Sequence, residues 1–345
     1  MKPRSMTSGL AGLVLAAATA GAAQADSGSF GDWTVVCDNT RTCTALGFGD
    51  LDEMGSTGHI AIRREGAADA APRARLVTAG QGEASLSLAI DGRVPEGLAG
   101  LPARNAPDDP ERRITDLTAE QTQALLARLI NGGSLAVREA GRPVLQVSLS
   151  GSSASLRFMD DRQKRAGTLT ALVAKGAKPA SAVPPPPPPP SLAAAPAARQ
   201  VGLPSAVPQA IAARLNGCDD DIAELGLEPD VARLGQDRLF WAVACSRGAY
   251  NVVYRLFLTD GAGRAAEPLR LTYPSGEVAE EVMNVQYDAE TRSLTNFDKA
   301  RGLGDCGAIT TWRWTGQGFV LAEQTLMPEC RGVLPEAWPL SYRSR

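Results

Sequence analysis

The sequence is short of the groups that usually announce chemistry. It holds one histidine, and Phe, Trp and Tyr together make up 5% of its 345 residues. With one histidine and no C-x-x-C spacing among the six cysteines, there is no donor set for a zinc centre, and no cofactor is expected. Basic blocks are also absent. Residues 26–178 carry 18 Lys+Arg against 19 Asp+Glu, and residues 209–345 carry 14 against 19. Nucleic-acid binding needs a concentrated basic face, so that class is excluded. Past residue 25 no run reaches about 18 apolar positions, so no later segment would cross a bilayer as a helix.

What is present sorts the chain into four pieces. Lys2 and Arg4, the apolar stretch Gly9 to Ala20 and the small-x-small site Ala23-Gln24-Ala25 have the pattern of an export signal, residues 1–25. Cleavage is expected between Ala25 and Asp26, placing the remainder in the periplasm. Pro184 to Pro190 forms the centre of an Ala/Pro-rich segment, residues 179–208. Seven prolines lack amide donors and hold φ near −65°, so they adopt a polyproline II rod of roughly 20 Å. Such a rod could be a ligand for an aromatic-lined groove, but a spacer accounts for the composition without a partner. The flanking pieces, 26–178 and 209–345, are each long enough for a core of their own.

Export makes the cysteines readable as a disulfide framework. The proline segment divides them two and four, which leaves three connectivities if bridges stay within a piece. Cys37 and Cys43 then pair by default. Cys218–Cys245 and Cys306–Cys330 are the favoured remaining pairs, each closing a loop of about 25 residues.

Both pieces read as β-rich. In the first, Phe30 to Cys37 and Thr42 to Ala45 flank the turn residues Asp38-Asn39-Thr40-Arg41 and predict a stapled hairpin. Further strands are predicted at Ile60–Arg63, Arg75–Thr78, Ala84–Ile90, Val144–Leu149 and Ser155–Phe158. Thr118 with Gln121 is a capping-box pattern, Leu125, Leu126, Leu129 and Ile130 form an apolar stripe, and Asn131-Gly132-Gly133 is a stop; together they predict one helix. A short helical piece is expected after Asp160. In the second piece, helical turns at Pro208–Leu215 and Asp219–Leu225 precede strands at Leu239–Cys245, Tyr250–Leu258, Leu269–Tyr273, Val282–Tyr287, Ser293–Phe297, Ile309–Trp314 and Phe319–Gln324. The predicted fold class is mainly antiparallel β with minor helix: two disulfide-stapled β-rich domains joined by a proline-rich linker, the second a meander folded as a sandwich or curved sheet.

Several stretches carry a resemblance. They are Asp32-Trp33 through Cys37-Asp38-Asn39-Thr40-Arg41-Thr42-Cys43, the segment Leu149 to Asp160, Arg301 to Gly307, Trp312-Arg313-Trp314, Cys330-Arg331-Gly332 and Trp338-Pro339. Together they resemble a family of exported bacterial proteins known as a domain of unknown function, over nearly all of the chain after residue 25. The first domain also resembles, more weakly, the invasion-associated locus B family of exported proteins. The resemblance implies a Gram-negative periplasm and carries no activity, cofactor or catalytic residue with it. The proline run lies outside its motifs.

Each possible chemical constellation has a plainer reading. Gly302-Leu303-Gly304-Asp305-Cys306-Gly307 matches G-x-G-x-x-G, but a β-branched, Trp-containing strand follows it where a dinucleotide site needs a helix. His59, near Asp52 and Ser56, lacks a nucleophile elbow and is expected in a surface turn. The pairs Asp108-Asp109, Asp160-Asp161 and Glu280-Glu281 and the run Asp219-Asp220-Asp221 are expected as solvated charge, because adjacent strand residues face opposite ways. Asp219 to Asp221 also fails a calcium loop, with Ala223 and Glu224 at its fifth and sixth positions. Trp312 and Trp314, with Arg301 and Asp305, form a candidate binding surface if exposed and core if buried.

The expected function is that of a non-catalytic periplasmic interaction module whose partner is an envelope protein or glycan. The alternatives are a carboxylate-dependent envelope hydrolase, which needs distant acids converging in a cleft, and an inhibitor of a wall-cleaving enzyme.

Overall fold

The computed structural model describes residues 26–52, 55, 56, 58–193 and 195–345. The export signal, including Ala25, therefore lies outside the described residues, while Asp26 opens the first strand. Residues 26–178 form β1 (Asp26–Phe30), β2 (Trp33–Cys37), β3 (Cys43–Phe48), the small hairpin β4 (Leu51–Asp52) and β5 (Gly55–Ser56), β6 (Gly58–Arg64), β7 (Arg73–Ala79), β8 (Ala84–Ile90), β9 (Leu101–Asn105) and β10 (Arg112–Asp116). Helix α1 (Ala119–Leu129), β11 (Ser134–Glu139), β12 (Arg142–Ser148) and helix α2 (Ser152–Arg162) follow.

Ten of these strands make one antiparallel sheet in the order β1-β2-β3-β6-β7-β10-β9-β8-β11-β12. The sheet curls until its last strand returns to its beginning. Gly49 bridges Val147, and the Trp33 indole donates to the Ser148 carbonyl at 2.8 Å. Inside the curl, Trp33, Val35, Ile60, Ile62, Leu76, Leu88, Leu135 and Val137 form one core with Leu125 and Leu129 of α1 and Leu156 and Met159 of α2. Cys37 and Cys43 are directly opposed across β2 and β3 and bridged. Helix α1 starts on the capping box, with Thr118 Oγ1 accepting from the Gln121 amide and the Gln121 side chain accepting from the Thr118 amide.

Three expectations for this piece are corrected. Ser155–Phe158 is not a strand but lies within α2, and the helical piece expected after Asp160 is this helix, which begins at Ser152 and ends at Arg162. The buried positions Ser152, Ser155, Leu156, Met159 and Asp160 recur at helical spacing, which a four-residue window cannot reveal. His59 is not in a surface turn. It is 6% exposed on β6, opposite Phe48. Asp160 is not solvated. Its fully buried carboxylate accepts the amides of Leu172, Val173 and Ala174 at 2.7, 2.8 and 3.0 Å.

Asp160 belongs to a closed polar cradle beneath α2. The buried Arg165 guanidinium donates to the carbonyls of Ala67 and Ala68 and to Thr170 Oγ1, and Arg64 donates to the carbonyls of Ala70 and Thr170. Gln163 points inward as well, its Nε2 donating to the Arg41 and Arg64 carbonyls. Burial and the nearby Arg165 charge lower Arg64 to about 10, with Asp160 opposing them.

After the Ala/Pro-rich segment come α3 (Gln209–Ala212), β13 (Asp230–Arg233), β14 (Arg238–Arg247), β15 (Val252–Asp260), β16 (Glu267–Pro268), β17 (Leu271–Thr272), β18 (Val278–Ala279), β19 (Glu281–Met283), β20 (Gln286–Asp288), β21 (Ser293–Lys299), β22 (Gly307–Trp314), β23 (Phe319–Met327) and β24 (Leu340–Arg343). One sheet runs β13-β14-β15-β16, with β19 also on β15. A second runs β20-β21-β22-β23-β24, and β17 and β18 form a separate hairpin. Phe240, Leu256, Leu258, Leu294, Trp312 and Trp314 pack between the two sheets. On the far side of β14 and β15, Trp241 and Phe257 pack with Ile211 of α3. The predicted strand Val282–Tyr287 is split in two at Asn284, whose φ of 45° turns the chain. The expected helix Asp219–Leu225 is reduced to a 3-10 turn, Ile222–Leu225.

The two pieces meet across a packed seam. Leu46 and Phe48 of β3 join Cys306, Met327, Val333 and Trp338 in one apolar cluster. Asn39 exchanges two hydrogen bonds of 2.9 Å with the Arg343 backbone. The fully buried Asp38 carboxylate lies 2.6 Å from Arg343 Nε. The segment 179–208 lies against both pieces. Arg41 donates to the Pro184 and Pro185 carbonyls, and Gln200 exchanges hydrogen bonds with the Arg233 backbone.

Candidate functional site

Strand alternation places one row of polar groups on the inward face of the second sheet. On β21, Leu294 is followed two residues later by Asn296 and then by Asp298. Leu294 belongs to the apolar core, Asn296 is buried among polar partners, and Asp298 reaches an opening at the end of the sandwich. The row continues across the neighbouring strands. Ser341 Oγ donates to Gln324 Oε1 (2.8 Å), Gln324 Nε2 donates to Thr310 Oγ1 (2.9 Å), and the Thr310 amide donates to Asn296 Oδ1 (3.2 Å). With its oxygen engaged, Asn296 turns its amide nitrogen outward, donating to Asp298 Oδ1 at 2.7 Å and to the Tyr273 hydroxyl oxygen at 3.1 Å.

The opening is a cleft of about 590 Å³. Its apolar wall includes Ala279, Met283, Ala308 and Leu326, and its acidic groups are Glu277, Glu281 and Asp298. The β17–β18 hairpin closes one side and is held down by two contacts. Tyr273 meets Trp312 edge-on with ring centroids 5.0 Å apart, and the Trp312 indole donates to the Thr272 carbonyl at 2.8 Å.

The charges in the cleft are unbalanced. Glu281 is paired with Arg255 at 2.9 Å, but among the described residues neither Glu277 nor Asp298 has a cationic partner, and no Lys or Arg lines the cleft. Burial is the main cause that raises Asp298 above the usual carboxylate range. The Asn296 hydrogen bond opposes it, and the Glu277 charge adds to it. Burial, then the charges of Asp298 and Glu277, push the Tyr273 hydroxyl well above its ordinary value, so it keeps its proton. Beside the paired Glu281, the cleft thus offers the carboxyls of Glu277 and Asp298, the hydroxyls of Tyr273 and Ser275 and an apolar wall.

The candidate residues of the sequence fall elsewhere. Trp312 and Trp314 are 0% and 3% exposed, so their aromatic area is spent in the core and they form no binding surface. Asp305 is buried and grips Arg301 through two hydrogen bonds of 2.6 and 2.5 Å, while accepting the Gly332 amide at 2.6 Å. Burial works against its charge, but Arg301 and the Gly332 amide outweigh it and hold the carboxyl below the usual range. Asp305 also lies beside Cys306 and Cys330, but their sulfurs are joined, so the cluster is a disulfide corner. Cys218 and Cys245 form the remaining bridge. Gly307, the last glycine of the G-x-G-x-x-G match, opens β22 with φ 127°, where a Cβ would collide with the Asp298 carbonyl. That glycine lets β22 pass close to the β21 backbone at Asp298.

Among the acidic stretches, Asp219 to Asp221 are exposed, Glu280 pairs with Arg270 and Glu281 with Arg255. Only Glu281 lines the cleft that Asp298 also lines. Sequence reasoning passed over Asp298, Glu277, Tyr273 and Asn296. The available signal was the interruption of an inward strand face, Leu294-x-Asn296-x-Asp298, by polar residues.

An Escherichia coli (strain K12) protein described as uncharacterized protein YpfG is 31% identical over 342 residues, covering 92% of each chain. The crystal structure of invasion associated protein b from Bartonella henselae aligns with 40% of this chain and 98% of its own, at 18% identity and a TM-score of 0.29. A family profile described as protein of unknown function (DUF1176) matches residues 27–345, and the chain belongs to that family.

Proposed function

We propose that the protein is a non-catalytic binding protein of the bacterial cell envelope, exported to the periplasm, and that its acidic cleft receives a cationic group of an envelope protein or amino-bearing glycan. The observation that carries this reading is the pair Asp298 and Glu277, two carboxyls at a cleft lined by no cation. A protonated amine would supply the missing charge, and its methylene stem would lie on Met283 and Leu326. Tyr273, kept as a donor, would orient a neighbouring carbonyl or hydroxyl.

The test is calorimetric titration of the 26–345 chain with a lysine-containing peptide and a glucosamine oligomer, each beside its N-acetylated form. Binding of an amine form only, weakened by about tenfold or more in Asp298→Asn, is expected. Equal binding of amine and acetylated forms overturns the reading. Affinity should rise as pH climbs through the elevated Asp298 pKa, because only the ionised carboxylate attracts the amine.

One observation favours the hydrolase reading: Asp298 and the Tyr273 hydroxyl share the Asn296 amide nitrogen at the cleft, and burial raises the Asp298 carboxyl in the direction a general acid needs. Cleavage of purified wall fragments by the chain, abolished in Asp298→Asn, would replace the binding reading.

A further inference from the structure

The run Pro184–Pro190 takes no part in the cleft, yet it is held in a defined way. A polyproline II rod repeats every three residues and so presents three edges. Exposure follows that period. Val183 is buried and Pro186, Pro189 and Leu192 are half-buried, while Pro184, Pro185, Pro187, Pro188 and Pro190 are exposed. One edge faces the protein and two face outward. The inner edge is seated over Gly66, where a Cβ would come within 3.0 Å of the Pro186 ring.

Both ends are tied. Arg41 Nη1 donates to the Pro184 and Pro185 carbonyls at 3.4 and 3.5 Å. At the other end the Arg345 amide donates to the Pro190 carbonyl at 2.8 Å, and the Leu192 amide donates to the Arg345 carbonyl at 2.7 Å. Among the described residues, the carbonyls of Pro186 to Pro189 accept no hydrogen bond from the protein.

We propose that this strip is a pre-ordered docking site for a polyproline-reading domain with an aromatic-lined groove. Two exposed ridges of prolyl rings need flat apolar walls, and free carbonyls between them need donors. Trp and Tyr side chains supply both from one groove. Such grooves engage two edges of the rod and leave the third free, and here the protein's own body occupies the third. A second copy of this chain offers no tryptophan for such a groove. Its five tryptophans, Trp33, Trp241, Trp312, Trp314 and Trp338, are all at most 5% exposed and line no groove. Anchoring at both ends has already removed chain entropy that a free peptide loses on docking.

The probe is an SH3 or WW domain selected because it binds a synthetic peptide of residues 181–193. Fluorescence titration should show the 26–345 chain binding that domain about threefold or more tighter than the peptide does. Substituting the outward prolines together, as P184A/P185A/P187A/P188A, should weaken binding about tenfold or more with melting unchanged. Substituting the inward pair, as P186A/P189A, should cost far less affinity. Weaker binding by the chain than by the peptide means that the body masks the run as a brace, and overturns the proposal. Binding insensitive to the outward prolines also overturns it.

Discussion

Both halves of this protein bury a row of polar side chains, and they end those rows differently. In residues 26–178 the row beneath α2 is closed. Asp160 spends its carboxylate on three backbone amides, and Arg165 spends its guanidinium on backbone carbonyls and Thr170. In residues 209–345 the row runs from Ser341 through Gln324, Thr310 and Asn296 and stops at Asp298, where the sandwich opens. The same residue types brace a loop in one place and face a cavity in the other. A buried polar group becomes available for function where its network leaves capacity at a cleft.

The comparison can be broken from either side. The largest effect is expected in the closed row. Asp160→Ala orphans three amides and leaves Arg165 and Arg64 buried without their carboxylate, so urea denaturation should show a loss of about 4 kcal/mol. A loss under about 1 kcal/mol would show that the cradle is not closed. Removing the Cys306–Cys330 bridge by the double Cys→Ser variant should cost about 3 kcal/mol by loop entropy alone. The seam should loosen with it, because that bridge belongs to the cluster that meets Phe48.

Acid should act on the first half through His59. Burial, then the charges of Arg112 and Arg75, lower its pKa from 6.5 to about 4. Between those values the unfolded chain binds the proton and the fold does not, so stability rises with pH across that window. About 3 kcal/mol is expected to be lost as pH falls from 6.5 to 4. His59→Gln should flatten that part of the stability-pH curve, and an unchanged slope would assign it to other groups. Arg343→Ala leaves the Asp38 carboxylate buried without its cation and should cost about 2 kcal/mol, read as a shift in urea midpoint.

The smallest stability effect belongs to the open row. Asp298→Asn keeps the hydrogen-bonding shape and removes a disfavoured charge, so stability should change by less than about 1 kcal/mol. Amine binding should fall sharply in the same variant. A large loss of stability there would mean that Asp298 is another brace and that the contrast between the two rows fails.

Local patterns were legible where one short stretch held the whole cause. The capping box at Thr118 and Gln121 contains both partners of its own hydrogen bonds. The Cys37–Cys43 hairpin needs only two extended runs and an Asx turn, and Asp38 Oδ1 does accept the Thr40 and Thr42 amides. Strand Ala84–Ile90 shows its period within seven residues. Where the cause lay elsewhere, the reading failed. Ser155–Phe158 looks extended until Ser152 and Asp160 are included in the period. His59 follows a Gly/Ser-rich stretch that resembles a loop, and only its pairing between Phe48 of β3 and Val77 of β7 places it within a sheet. Tyr273 and Asp298 are 25 residues apart, and only the fold of the β17–β18 hairpin over β21 brings both to Asn296.

The sequence by itself determined the strand-rich character, the helix α1, the turn at Asp38 and the stiffness of the proline run. Each rests on backbone preference or on hydrogen bonds among near neighbours, which act whatever the rest of the chain does. The tertiary structure alone decided that β10 pairs with β7 and β11 with β8, that the proline run is seated with two edges outward, and that one polar row closes while the other meets a cleft. Those outcomes depend on contacts between residues far apart in the chain, whose hydrogen-bonding capacity is spent or spared only once the sheets have curled and packed.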